Sequence, residues 1–306
     1  MYSVTPHSIS RRGFASSLLI YVKERFPAPV AFIYSLLFAS SITTFFYHES
    51  RLARVDLIKT TLLIGATIFL FFLRLRLFDE IKDFAYDSLY HPERPVQQGV
   101  VPISVIKRLA ILVLLVEICL QALVPAAAVL AYLIVLGYSL LMFKEFFMDQ
   151  FLSRHLALKL FLHQMIFVTL TVYAASVAQA HFFVPPFGRR LLLFPTLLVP
   201  TLLFELGRKL EHRRDAQGAR TDDTYAYRWG TTRTFIIIMV AVLAHIICLL
   251  LLSPRQSILV TPYLAAMLVV IALFIRNKAL VIKTAKVWSV ALALVGQALF
   301  LILNLL

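Results

Sequence analysis

Charge is scarce in this chain. Asp, Glu, Lys and Arg make up 15% of its 306 residues, where a soluble domain carries about 25%. The mean hydropathy is +0.85. Together these values exclude an ordinary soluble enzyme, a disordered chain and a coiled coil. Cysteine is scarcer still. Cys119 and Cys248 both lie in apolar runs, so they form neither a metal-ligand spacing nor a disulfide framework. Also missing are the alternation of a transmembrane β-barrel, any low-complexity segment and any second soluble domain.

What is present is apolar. The set AVILMFWYC supplies 60% of the residues, 25 of them Phe. A membrane span needs about 20 residues, so nine spans would use roughly 180. Nine apolar segments can be drawn, at 28–47, 57–75, 105–123, 126–147, 160–180, 191–204, 235–252, 260–275 and 287–306. The expected fold class is an all-α polytopic bundle of about nine transmembrane helices. Residues 28–306 form its single domain, after an N-terminal segment over 1–27. Within that segment Ser10-Arg11-Arg12-Gly13-Phe14 resembles a twin-arginine export signal. Its apolar run ends too soon, at Lys23-Glu24-Arg25, and no small-residue cleavage site follows, so a retained segment is expected.

The net charge of +14 would suggest nucleic acid on a soluble protein. Here it follows membrane topology, and no nucleic-acid partner is expected. With the N-terminus inside, 24 of the 30 Lys and Arg residues fall in the inside segments and 6 in the outside ones. The positive-inside rule then puts the N-terminus and both long polar loops, 76–104 and 205–234, on the cytoplasmic side. A bacterial inner membrane or an organellar equivalent fits that arrangement.

The first long loop opens with Asp79, Glu80, Asp83 and Asp87. Three aspartates at i, i+4 and i+8 form one stripe if the second span continues as a helix, rising about 6 Å per step. Stacked like charges repel by a few tenths of a kcal/mol per exposed pair, and a cation reverses that effect. One or two carboxylates completed by phosphate oxygens is the usual way to hold Mg²⁺. The alternative is a solvated acidic helix end balanced by Arg74, Arg76 and Lys82.

The stripe is followed by His91-Pro92-Glu93-Arg94-Pro95 and Gly99. This arrangement resembles the first aspartate-rich motif of the UbiA superfamily of intramembrane prenyltransferases, with Asp79 in place of the family's Asn. The second long loop carries Glu205-Leu206-Gly207-Arg208-Lys209, Asp215 and Asp222-Asp223-Thr224-Tyr225, and ends at Gly230. It is similar to the family's second acidic motif. Tyr138 to Lys144 looks like the Tyr-x5-Lys at the end of the family's fourth helix, and Arg25-Phe26-Pro27 stands where the family has a basic residue and a proline.

The resemblance implies a nine-helix bundle and Mg²⁺-dependent transfer of a prenyl group from a polyprenyl diphosphate to an acceptor in the membrane, with release of diphosphate. It makes Asp83 and Asp87 the catalytic candidates. Asp79, Glu80, Asp83, Asp87, Glu205 and Asp215 become candidate metal ligands. Arg94, Lys144, Arg208 and Lys209 become candidate diphosphate binders. The partners are the donor, the lipid bilayer and an acceptor that the sequence does not name. The second motif departs from the family. Where Asp-x-x-x-Asp is usual, Glu205 is followed at that spacing by Lys209. Arg208 or Lys209 could therefore neutralise diphosphate in place of a second ion.

Three residues inside apolar segments are candidates for the substrate cavity: Glu117, Gln121 and His163. A carboxylate at membrane depth is a functional candidate by default, and the alternative for Glu117 is a hydrogen-bonded place between helices. Two other functions fit parts of the pattern. The His91-Pro92 and Arg94-Pro95 pairs resemble UbiA-type phosphoribosyltransferases, which transfer to a polyprenyl phosphate. A transporter could use the acidic stripe as a cation site, but such sites usually lie at the midplane between repeats. Here the acids gather at one face and no repeat is visible.

Overall fold

The computed structural model describes residues 13–50, 54–183, 188–211 and 224–306. It is built from α-helices: α1 (Phe14–Arg25), α2 (Ala28–Ser50), α3 (Arg54–Lys82), α4 (Phe84–Tyr90), α5 (Ile103–Leu120), α6 (Ala126–Phe143), α7 (Asp149–Arg154), α8 (Leu156–Gln164), α9 (Ile166–Gln179), α10 (Leu193–Arg208), α11 (Tyr225–Trp229), α12 (Thr231–Leu252), α13 (Thr261–Arg276), α14 (Lys278–Lys283) and α15 (Ala285–Leu305). No strand occurs among the described residues.

Eight helical stretches among the described residues are long and apolar enough to cross a membrane. They match eight of the nine segments expected from sequence. The remaining segment is α5, an 18-residue helix that also carries Lys107, Arg108 and Glu117. Its charges, not its length, set it apart.

The outer faces identify the solvent. On α12, Ile236, Val240, Leu243, Ile247 and Leu251 are exposed at spacings of three and four. A helix facing water would carry polar residues on such a stripe, so this face meets lipid. The inner face of the same helix buries Phe235, Ile238, Val242, His245 and Leu249. The chain is an integral, multi-pass membrane protein.

Helix α10 lies centrally, packed on α9, α12 and α15, while α2 packs on α3, α9 and α15. Gly207 allows a close approach of α10 to α15. A Cβ there would lie 1.9 Å from Ser289 Oγ on α15. Polar side chains tie other helices together. Gln297 Nε2 donates to Ser41 Oγ at 3.0 Å, and Asn304 Nδ2 donates to the Ser41 carbonyl at 3.3 Å.

Several helices outrun their apolar segments. The 57–75 segment becomes α3, which continues to Lys82, and the 191–204 segment becomes α10, which continues to Arg208. Helix propagation adds one hydrogen bond per residue whether or not the side chain is apolar. Helices therefore leave the lipid before they stop. As a result Asp79 stands on the last turn of α3 and Glu205 on the last turn of α10.

Candidate active site

The two acidic motifs lie at the ends of α3 and α10. The backbone bends at Asp83 (φ −89°, ψ 4°), which ends α3 and caps α4. The amides of Asp83, Asp87 and His91 donate to the carbonyls of Asp79, Asp83 and Asp87, each at 2.8 Å. The three aspartates thus sit four residues apart, Asp79 on α3, Asp83 at the bend and Asp87 on α4.

Their surroundings differ. Asp79 is exposed, with Oδ1 3.6 Å from Lys82 Nζ. Asp87 is buried and paired with Arg94, and its Oδ2 lies 3.8 Å from Arg25. Asp83 is half-buried, and its side chain makes no ion pair or hydrogen bond among the described residues. Burial raises its carboxyl above the ordinary value; Lys82 opposes this, and Asp79 and Asp87 reinforce it. Glu80 is turned away from the three aspartates. It is buried against Arg25, Nε to Oε1 at 2.8 Å, and against Arg76.

At the end of α10, Glu205 is held from three sides. Arg208 Nε lies 2.5 Å from Oε2, while Lys209 Nζ and the Tyr225 hydroxyl lie 3.1 and 3.2 Å from Oε1. Thr224 caps the short helix that supplies Tyr225, accepting from the Tyr227 amide at 3.3 Å. Arg208 also interacts electrostatically with Asp79, which links the two motifs. Asp215, Asp222 and Asp223 lie outside the described residues.

A third group closes the site. After α6 the chain turns through Glu145, Phe146 and Phe147, all left-handed, with φ of +46°, +54° and +58°. Side chains in that region cost about 1–2 kcal/mol each, and no glycine or asparagine relieves the cost here. The turn places Glu145 beneath two lysines and His163. Its Oε1 lies 2.8 Å from Lys82 Nζ and 3.2 Å from Lys159 Nζ, and its Oε2 lies 3.2 Å from His163 Nε2. Burial alone would raise this carboxyl. The hydrogen bonds from His163 and Lys82 prevail and hold it well below the carboxylate range. Lys159 also acts electrostatically on Asp83.

The remaining candidates lie apart. Lys144 is exposed, with Nζ 5.4 Å from the Phe143 ring, and makes no ion pair among the described residues. Glu117 is fully buried, gripped by Arg74 and by the Tyr132 hydroxyl at 3.1 Å. Gln121 Nε2 donates to the Glu117 carbonyl at 2.8 Å. Arg74 lies nine residues before Asp83, about 13 Å along the helix, so this network belongs to the interior of the bundle. The sequence reading missed Glu145, Lys159 and the partnership of Arg74. Two opposite charges in neighbouring apolar segments, Arg74 and Glu117, were the available signal for that last pair.

Neither a protein-family model nor a curated protein matches the chain in sequence. Solved structures match it in shape. A UbiA homologue from Aeropyrum pernix K1 superposes with a TM-score of 0.61 at 17% identity, covering 90% of this chain and 98% of its own. The chain has the UbiA fold. A digeranylgeranylglyceryl phosphate synthase gives 0.58 at 14% identity, over 94% of this chain and 99% of its own. A UbiA homologue from Archaeoglobus fulgidus, bound to DMAPP and Mg²⁺, gives 0.50 at 13% identity, over 93% and 99%. In the UbiA bundle seen here, the first acidic motif follows the second long helix, and the second motif ends the long helix before α11.

Among the described residues no three acidic or imidazole side chains gather as a metal cage. Mg²⁺ is usually held by one or two carboxylates, with water and phosphate oxygens completing its octahedron. Asp83 fits the role best. It is partly desolvated, repelled by two like charges and unpaired, so a cation beside it relieves an existing electrostatic cost.

Proposed function

We propose that this chain catalyses Mg²⁺-dependent transfer of a prenyl group from a polyprenyl diphosphate to an acceptor within the membrane. The observation that carries the reading is the unpaired Asp83. It stands at the bend between Asp79 and Asp87 at one end of a UbiA bundle, with Lys82 and Lys159 acting on it, Arg94 paired with Asp87 and Arg208 acting on Asp79. The homologue bound to DMAPP and Mg²⁺ supports both the donor class and the ion. The charge split between loops supports a cytoplasmic mouth.

In this reading Asp79 and Asp83 hold the ion, with Asp87 beneath them kept in place by Arg94. Mg²⁺ supplies Lewis-acid neutralisation of the departing diphosphate. Arg94, Arg208 and Lys209 add fixed positive charge where negative charge develops, an electrostatic form of catalysis. The apolar tail of the donor lies among the helices. Phe71, Phe72 and Phe167, in ring contact in the bundle interior, help keep water from a reactive allylic carbon. Glu205 and Asp215 remain the candidates for a second ion.

Release of diphosphate from labelled prenyl diphosphates of graded length, with Mg²⁺ and with EDTA, tests this reading. Asp83→Asn should lower turnover by about 10²–10³, the scale for one preorganised charge-stabilising group, and should leave the melting temperature close to wild type. Full activity in EDTA or in the Asp83→Asn protein would overturn it.

A further inference from the structure

The cage around Glu145 has the form of an anion site seen from below. Two oxygens of one carboxylate meet three nitrogen donors, Lys82, Lys159 and His163, at 2.8–3.2 Å. The exposures are ordered. The three donors are 23%, 29% and 27% exposed and the carboxylate beneath them is 6% exposed. An anion arriving from solvent therefore meets these three donors before it meets Glu145. The carboxylate is held there by three successive left-handed residues, a backbone conformation that release of the side chain could relax. Lys82 also faces Asp79, and Lys159 acts on Asp83, so the cage adjoins the aspartates.

We propose that Lys82, Lys159 and His163 form a phosphoryl-binding subsite in which the Glu145 carboxylate is an internal occupant, displaced when the ligand binds. A phosphoryl group offers three strong acceptor oxygens and more charge than a carboxylate, and lysine ammonium groups bind it as point charges. Assigning that group to the diphosphate of a prenyl donor rests on the function proposed above. The subsite itself does not. No bond is made or broken in the exchange: the three donors change partner, and Glu145 turns to water.

The test is calorimetric titration of inorganic diphosphate into the purified full-length protein in phosphate-free detergent, once with Mg²⁺ and once with EDTA. Glu145→Gln should bind diphosphate roughly tenfold more tightly in both, because the competing charge is gone. Lys159→Gln should bind roughly tenfold more weakly, the scale of one hydrogen bond to a charged group. Wild-type affinity in either folded variant would overturn the subsite. Lys159→Gln, on the exposed rim, keeps the test decisive if Glu145→Gln does not fold.

Two further arms separate the ideas. Asp83→Asn should weaken binding with Mg²⁺ only. A normal Asp83→Asn titration beside shifted Glu145 and Lys159 variants would reject the metal reading and keep the subsite, and the reverse would reject the subsite alone. Repeating the titration in mixed micelles with phosphatidylglycerol identifies the source of the phosphoryl group. Unchanged affinity assigns the subsite to diphosphate, and competition assigns it to a lipid headgroup.

Discussion

Arg74 grips Glu117 with both ends of its guanidinium fork, Nε to Oε1 at 2.8 Å and Nη2 to Oε2 at 3.1 Å, and neither side chain reaches the surface. The free Nη1 donates to Ser139 at 2.8 Å, and the rings of Phe71 and Phe78 lie 5.3 and 5.2 Å from the guanidinium carbon. One ion pair therefore joins α3, α5 and α6. Glu117→Gln should leave a buried guanidinium without its counter-charge and cost about 3–5 kcal/mol. Arg74→Met combined with Glu117→Leu should recover most of that loss. Thermal unfolding of the three proteins in one detergent checks both statements.

Gly207 bears on the orientation of the second motif. A methyl group there meets Ser289 Oγ at 1.9 Å and Ser289 Cβ at 2.3 Å. Gly207→Ala should push α10 off α15 and destabilise the protein by about 1–3 kcal/mol, the usual cost of overpacking. Adding Ser289→Gly should restore stability, while Ser289→Ala should not, because its Cβ remains. Melting temperatures of the single and double variants decide the matter.

Arg208 and Lys209 share a helix face with Glu205 and pair with it. If they also receive diphosphate, Arg208→Ala and Lys209→Ala should each weaken binding of inorganic diphosphate by about 1.5–3 kcal/mol and leave folding nearly unchanged. Wild-type affinity in both would limit the second loop to a salt-bridged turn, worth at most about 0.5 kcal/mol.

Acid should act through Glu145. Its carboxyl lies below the ordinary value of 4.5 in the folded protein, so its contribution to stability is complete above that value. It fades as pH falls toward the folded value, because the unfolded chain takes up the proton first. The melting temperature of the wild type should therefore fall below about pH 4.5 more steeply than that of Glu145→Gln. Parallel curves for the two proteins would show that the cage does not hold the charge.

The long helices were legible in the sequence because lipid imposes one rule on every span: apolar side chains over a fixed length. The ends were not. Once α3 leaves the lipid, hydropathy no longer marks its course, and Asp79 joined the helix on backbone hydrogen bonds alone. The aspartates were visible as a spacing of four. The cage around Glu145 was not, because Lys82, Glu145 and His163 are 63 and 18 residues apart. The turn that gathers them carries Glu-Phe-Phe, with none of the residues that usually announce a left-handed backbone. Lys144 stood out by motif, yet the same turn sends its neighbour inward and leaves Lys144 at the surface.

Asp79 rides on the last turn of α3, so it moves with a span that crosses the bilayer. The bend at Asp83 sets Asp87 on a separate helix, so α3 carries Asp79 alone as a lever carries its tip. A span longer or shorter than the surrounding hydrocarbon adjusts by tilting. A change in lipid thickness that tilts α3 therefore moves Asp79 relative to the end of α10.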